Sequence, residues 1–262
     1  MISLTDTHAH LYLEEFDADL SQAMQRAMQN GIYDIYLPNI DSSSIGRLLK
    51  VAGDYPHLCH PMMGLHPTSV KAGFRKELEI VADYLQNPAY SFCAIGEIGV
   101  DLYWDKTFEQ EQLEAFNMQL DLAIHYQLPV VIHTRNSMEV VLKVLNERND
   151  PRLRGVFHCY SGNTDQALKA QDLGFSIGIG GVITYKNSGL QQVVEQMAPE
   201  SLLLETDAPF LPPVPYRGQR NEPAYIPVIA AKIAEVKKIP PEEVARVTTE
   251  NAKRLFSGRK KD

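Results

Sequence analysis

Eight short β-rich runs alternate with amphipathic stretches of helical length from Thr5 onward, and this alternation restricts the fold more than any other feature of the chain. The strand candidates are residues 4–8, 34–39, 61–66, 92–101, 129–133, 155–160, 175–183 and 202–207. Runs such as Pro129-Val130-Val131-Ile132 and Ser201-Leu202-Leu203-Leu204 are apolar without alternating, as parallel strands are when both faces are covered. The clearest helical pattern, 107–126, has Thr107 and Gln110 spaced for a capping box and a stripe of Leu113, Phe116, Leu120, Ala123 and Ile124. Further helices are predicted at 225–237 and 241–256. Eight βα units in 262 residues predict an α/β fold of the (β/α)8, or TIM, barrel type, as a single domain over 1–262 with a charged, frayed tail at 258–262. An open doubly wound sheet usually has fewer strands, and no G-x-G-x-x-G follows the first one.

Composition narrows the class. No apolar run approaches the roughly 18 residues of a spanning helix, and no basic-then-hydrophobic leader opens the chain, which predicts a cytoplasmic protein with no membrane partner. Nothing in the sequence calls for an obligate protein partner. Cys59, Cys93 and Cys159 lack C-x-x-C spacing and lie in apolar runs, so they read as buried packing thiols in a reducing compartment. The net charge of -8 argues against a general nucleic-acid-binding surface, although a locally positive site can still take a phosphodiester.

Active sites of such barrels lie at the C-terminal ends of the strands. Those ends supply His8 and His10 from the first strand, Glu97 from the fourth, His133 from the fifth, His158 from the sixth and Asp207 from the eighth. A histidine or carboxylate at one strand end usually bonds to backbone or caps the next helix. Six at one end of one barrel point to metal binding. His8 and His10 share a strand face about 7 Å apart along the chain. Six ligands exceed one tetrahedral ion, and two divalent cations bridged by a carboxylate use all of them and leave room for water and substrate. The expected arrangement has His8, His10 and Asp207 on one ion, His133 and His158 on the other, and Glu97 between, with a local charge of about +2. Imidazole suits zinc, manganese or cobalt, while magnesium prefers oxygen, so the choice among Mg, Mn and Zn stays open. Glu205, on the parity of Asp207 and one layer deeper, is a candidate acceptor behind a ligand histidine. Strand parity turns Cys159 toward the helix layer, and His66 points to the mouth, where it could meet a substrate oxygen.

The motifs Thr5-Asp6-Thr7-His8-Ala9-His10, Gly64-Leu65-His66-Pro67, Gly96-Glu97-Ile98-Gly99-Val100-Asp101, Val131-Ile132-His133-Thr134-Arg135, Phe157-His158-Cys159-Tyr160-Ser161-Gly162, Leu203-Leu204-Glu205-Thr206-Asp207-Ala208-Pro209 and Arg217-Gly218-Gln219-Arg220-Asn221-Glu222-Pro223, taken in order, resemble those of the TatD family of metal-dependent hydrolases. The resemblance covers nearly the whole chain. It implies an amidohydrolase-like TIM barrel, metal-dependent deoxyribonuclease activity, and metal roles for His8, His10, Glu97, His133, His158 and Asp207. The chain departs from the family's pattern after Asp101, where Leu102 precedes Tyr103 and Trp104.

Arg220, with Arg217 and Arg135, could clamp a phosphate, since guanidinium matches its oxygens with two donors. Tyr103, Trp104 and Tyr185 fall in βα loops, where an aromatic ring can stack on an unpaired base. The combined reading is a phosphodiesterase acting on DNA, an exonuclease of single-stranded ends, in which Asp207 orients or deprotonates the attacking water beside Glu97. The alternatives are an esterase or amidase-type hydrolase, such as an aminoacyl-tRNA deacylase using the same water, and an inactive binding module.

Overall fold

A computed structural model describes residues 3–257, so the expectation for the tail at 258–262 lies outside the described residues. The elements alternate as β1 (Leu4–Asp6), α1 (Leu20–Gln29), β2 (Ile32–Leu37), α2 (Ile45–Asp54), β3 (Cys59–Pro61), α3 (Phe74–Gln86), β4 (Ile95–Asp101), α4 (Glu109–Tyr126), β5 (Val130–Arg135), α5 (Met138–Arg148), β6 (Gly155–Phe157), α6 (Thr164–Asp172), β7 (Phe175–Ile179), α7 (Leu190–Gln196), β8 (Leu202–Leu204), α8 (Ile226–Lys237) and α9 (Pro241–Phe256). All neighbouring strands pair in parallel, in two ladders, β1 to β3 and β4 to β8.

Backbone hydrogen bonds carry the ladders across both seams. Between β3 and β4, Met63 N–H donates to Ala94 O (3.2 Å) and Gly96 N–H to Met63 O (3.1 Å). Between β8 and β1, Thr7 N–H donates to Leu204 O (2.9 Å), Asp207 N–H to His8 O (2.9 Å) and His10 N–H to Ala208 O (2.7 Å). The result is the closed (β/α)8 barrel that the alternation predicts. Asp6, fully buried, latches the second seam by accepting the Thr206 N–H (2.9 Å) and hydroxyl (2.5 Å).

The uniformly apolar strands follow from this closure. Val131, Val156 and Leu203 pack with Tyr36, Met62 and Phe256 inside the barrel, while Val130, Ile132, Phe157, Leu202 and Leu204 pack outward under the helices. The end of α9 plugs the bottom, with Phe256 stacked on Tyr36 at 4.1 Å between ring centroids. Truncating such a buried phenylalanine to alanine costs about 3–5 kcal/mol. Inside-facing parity continues two residues up each strand, which aims His133, His158 and Glu205 at the space above this core.

Several local expectations change, the strand bounds foremost. The third strand is Cys59–Pro61 and not 61–66, and β6 and β8 end three residues before the predicted 160 and 207. At the mouth the chain leaves the pleat, and Cys159 (φ 44°) and Asp207 (φ 59°) adopt left-handed backbone. The capping box at Thr107 does not form. Thr107 N–H instead donates to Asp105 Oδ1 (2.8 Å), and α4 starts at Glu109 without a side-chain cap. A capping box does form at α6, between Asn163 and Gln166. No helix among the described residues is long and apolar enough to cross a membrane.

Candidate metal centre

Glu97, the third residue of β4 and 2% exposed, divides the histidines between its two oxygens. Its Oε2 lies 3.1 Å from His8 Nε2 and 3.7 Å from His10 Nε2. Its Oε1 lies 2.8 Å from His133 Nδ1, 3.1 Å from His158 Nε2 and 3.2 Å from His66 Nε2. Asp207 Oδ1 completes the first side, 3.8 Å from His8 Nε2 and 3.6 Å from His10 Nε2. All six candidate ligands thus meet, and His66 joins them. The rings of His8 and His158 are stacked, with centroids 3.6 Å apart.

Hydrogen bonds behind the rings choose the nitrogen that faces the centre. Tyr12 donates its hydroxyl to Pro38 O (2.6 Å), so it can only accept from His10 Nδ1–H (2.9 Å), which leaves the His10 Nε2 lone pair inward. His158 Nδ1 makes no such bond and lies at ion-pair distance, 3.4 Å, from Glu205 Oε1, the oxygen that accepts the Cys159 N–H. His133 is reversed. Its Nε2 meets Asp101 Oδ2 (3.0 Å), and its Nδ1 faces Glu97. His66 Nδ1 caps the short 3-10 helix Pro67–Ser69 by accepting Thr68 N–H (3.2 Å), so in the neutral ring Nε2 carries the hydrogen and donates to Glu97.

Packing above the strands secures these partners. Gln112 of α4 accepts Asp101 N–H (2.7 Å) and donates to Asp101 O (3.1 Å), fixing the end of β4. Gly178 of β7 makes room for Glu205, because a Cβ there would stand 2.5 Å from Glu205 Oε2.

The donor set fits cations. His8 Nε2 and His10 Nε2 converge to 3.2 Å beside the two carboxylates, and His8 Nδ1, His158 Nδ1 and Glu205 Oε2 are buried with no hydrogen-bond partner. Burial pulls the His8 imidazole below its ordinary pKa, favouring the neutral, ligating form. Burial pushes Glu97 and Asp207 up, but the surrounding imidazoles outweigh it: both carboxyls stay below their usual range and are ionised at neutral pH.

Sequence reasoning missed Asp101, Tyr12 and Asp6. Asp101 shares the parity of Glu97 four residues earlier, and Tyr12 and Asp6 share that of His8 and His10, so a two-residue period was the available signal. Cys159 is corrected. Its left-handed backbone cancels the parity argument, and its side chain is half-buried, with burial first and the nearby carboxylates second pushing the thiol's pKa well above its ordinary value. Arg220 is engaged away from the histidines. It donates to Asp19 Oδ1 (2.6 Å) and Oδ2 (2.9 Å) and to Glu15 O, with its guanidinium over Phe16. Arg135 lies over the rings of Tyr103 and Trp104.

A family model described as "TatD related DNase" matches residues 5–257. The chain belongs to the TatD family. It is 37% identical over 254 residues to YabD, an uncharacterized metal-dependent hydrolase of Bacillus subtilis, covering 97% of this chain and 98% of that one. The crystal structure of YjjV, a TatD homologue from Escherichia coli, superposes with a TM-score of 0.92 at 34% identity, covering 98% of this chain and 99% of that one. A phosphotriesterase homology protein from Escherichia coli shares the fold at 16% identity and a TM-score of 0.68, covering 97% of this chain and 99% of that one. As a TatD-family member the protein is a metal-dependent hydrolase.

Proposed function

We propose that this TatD-family hydrolase cleaves phosphodiester bonds of DNA, removing nucleotides from single-stranded ends, and works with two divalent cations. The observation that carries the reading is the division of Glu97, one oxygen toward His8 and His10 and the other toward His133 and His158. His8, His10 and Asp207 would hold one cation, His133 and His158 the second, with Glu97 shared. When bound, such ions lower the pKa of water and neutralise charge on phosphoryl oxygens. Magnesium, manganese and zinc are the candidates, with the imidazoles favouring the last two.

The chain's own groups supply the rest. Asp207, ionised and 14% exposed at its side chain, accepts the proton of the attacking water and returns it to the leaving oxygen. His66 Nε2–H, which donates to Glu97 in the free protein, would exchange that acceptor for a phosphoryl oxygen of the bound substrate. Glu205 and Asp101 keep His158 and His133 from rotating. Arg135 offers its free donors to a phosphate, whereas Arg220 can do so only by leaving Asp19.

An end-labelled single-stranded oligonucleotide, incubated with the protein in each of the three metals, tests this. Mononucleotide release is expected, and Asp207→Asn should lower turnover at least about a hundredfold. Hydrolysis of acyl esters with intact DNA in every metal would replace the reading with an esterase.

A further inference from the structure

Seven of the described arginines form ion pairs with carboxylates. Arg135 and Arg217 differ. Among the described residues neither guanidinium has a carboxylate partner, both are exposed, and each lies over an aromatic ring. Arg135 ends β5 and sits 3.8 Å from the Tyr103 centroid and 5.1 Å from that of Trp104, in the loop after β4. Arg217, in the loop after β8, sits 4.5 Å from the centroid of Tyr185, in the loop after β7. The two sets therefore occupy separate arcs of the barrel mouth.

Both are tied to the metal centre. Asp101, whose Oδ2 holds His133, accepts the Tyr103 N–H on Oδ1 (2.9 Å). On the other arc Phe210 N–H donates to Asp207 O (2.8 Å), and the Phe210 ring faces His10 with centroids 6.1 Å apart. Trp104 is 71% exposed, Tyr103 51% and Phe210 46%, although each is large and apolar enough to be buried at little cost. In a protein of net charge -8, unpaired guanidinium beside exposed rings matches one kind of ligand, a chain of phosphates bearing unpaired bases.

We propose that the Arg135, Tyr103 and Trp104 set and the Arg217, Tyr185 and Phe210 set grip the nucleotides on the two sides of the scissile phosphate, so the site takes single-stranded DNA unpaired on both sides of the cut. The proposal rests on the phosphodiesterase reading for the position of the cut. Each guanidinium presents its donors to a flanking phosphate while its ring face stays on the aromatic, and the exposed rings receive bases. A duplex keeps its bases stacked and paired, so it reaches neither set.

Trp104 is the chain's one tryptophan, so its emission reports contact at the first set directly. The full-length protein in chelator, titrated with oligo(dT) of eight nucleotides, should show saturable quenching that a blunt duplex does not reproduce. With a fluorescein-labelled oligo(dT) read by anisotropy, Trp104→Ala and Arg217→Gln should each weaken binding about tenfold, and Trp104→Phe by less than about threefold. Arg135→Gln should reduce the salt slope of binding by roughly 0.7. Hydrolysis of bis(4-nitrophenyl) phosphate by the unaltered, metal-loaded protein is measured separately. Hydrolysis without quenching overturns the two-sided grip and leaves the phosphodiesterase reading intact. Quenching without hydrolysis in any metal supports the grip and overturns that reading. Equal quenching by the duplex overturns the single-strand assignment.

Discussion

His8 Nε2 and His10 Nε2 face each other at 3.2 Å, with Asp207 Oδ1 and Glu97 Oε2 both within 4 Å of each. Two ionised carboxylates converging on the same pair of imidazoles repel each other, and a shared cation offsets that repulsion. Metal should therefore stabilise the fold as well as serve the reaction. At a free concentration a hundred times the dissociation constant, the gain is about 2.7 kcal/mol. Melting curves with manganese or zinc, then with excess chelator, should show the midpoint rise and fall, and identical midpoints would count against a bound cation.

Tyr12 makes a sharper prediction. Its hydroxyl, held by Pro38 O, is the acceptor that sets the His10 tautomer, and burial keeps the phenol's pKa well above its ordinary value, so it stays neutral. Tyr12→Phe keeps the ring and removes the acceptor. Metal affinity should drop about tenfold or more in a chelator competition, with little change in circular dichroism. An unchanged affinity would mean that His10 is oriented by other contacts.

Gly178 and Glu205 should behave as one unit. In Gly178→Ala the added Cβ meets Glu205 Oε2 at 2.5 Å and Cδ at 2.8 Å, deep inside the barrel where neither strand can yield freely. The expected loss is about 1–3 kcal/mol in urea unfolding. Combining it with Glu205→Ala, which removes the clashing carboxyl, should cost less than the sum of the two single changes. Strict additivity would show that Gly178 does not bear on Glu205.

Asp19 governs the acid response of the loop after β8. Hydrogen bonds from Arg220, then from Arg26, lower its pKa from 3.8 to about 2. A depressed folded-state pKa means that the ion-pair contribution is fully present above about pH 4 and is lost as pH falls toward 2. Partial exposure limits that contribution to about 1 kcal/mol. The stability gap between the unaltered protein and Asp19→Asn should be constant from pH 7 down to about 4, then narrow. A gap that widens on acidification would refute the assignment.

The barrel and the six convergent side chains were legible because both depend on periodicities of two and 3.6 residues, which local sequence carries. The inward aim of His133 and His158 follows from Val131 and Val156 two residues below them. Parity failed at Cys159, where the chain turns left-handed after the ladder ends. The capping box failed at Thr107 because Asp105, two residues earlier, took its N–H first.

The sequence by itself determined the order of strands and helices, the closed parallel barrel and the types of candidate ligand at its mouth. Only the tertiary structure decided which ring nitrogen faces the centre, because the partners that set it, Tyr12 with Pro38 O, Asp101 on a neighbouring strand and Glu205 beside Gly178, come from separate segments. It also decided which arginines are free. Arg220 is quenched by Asp19, 201 residues away, while Arg135 keeps its donors, and a carboxylate's reach in space leaves no trace in local spacing.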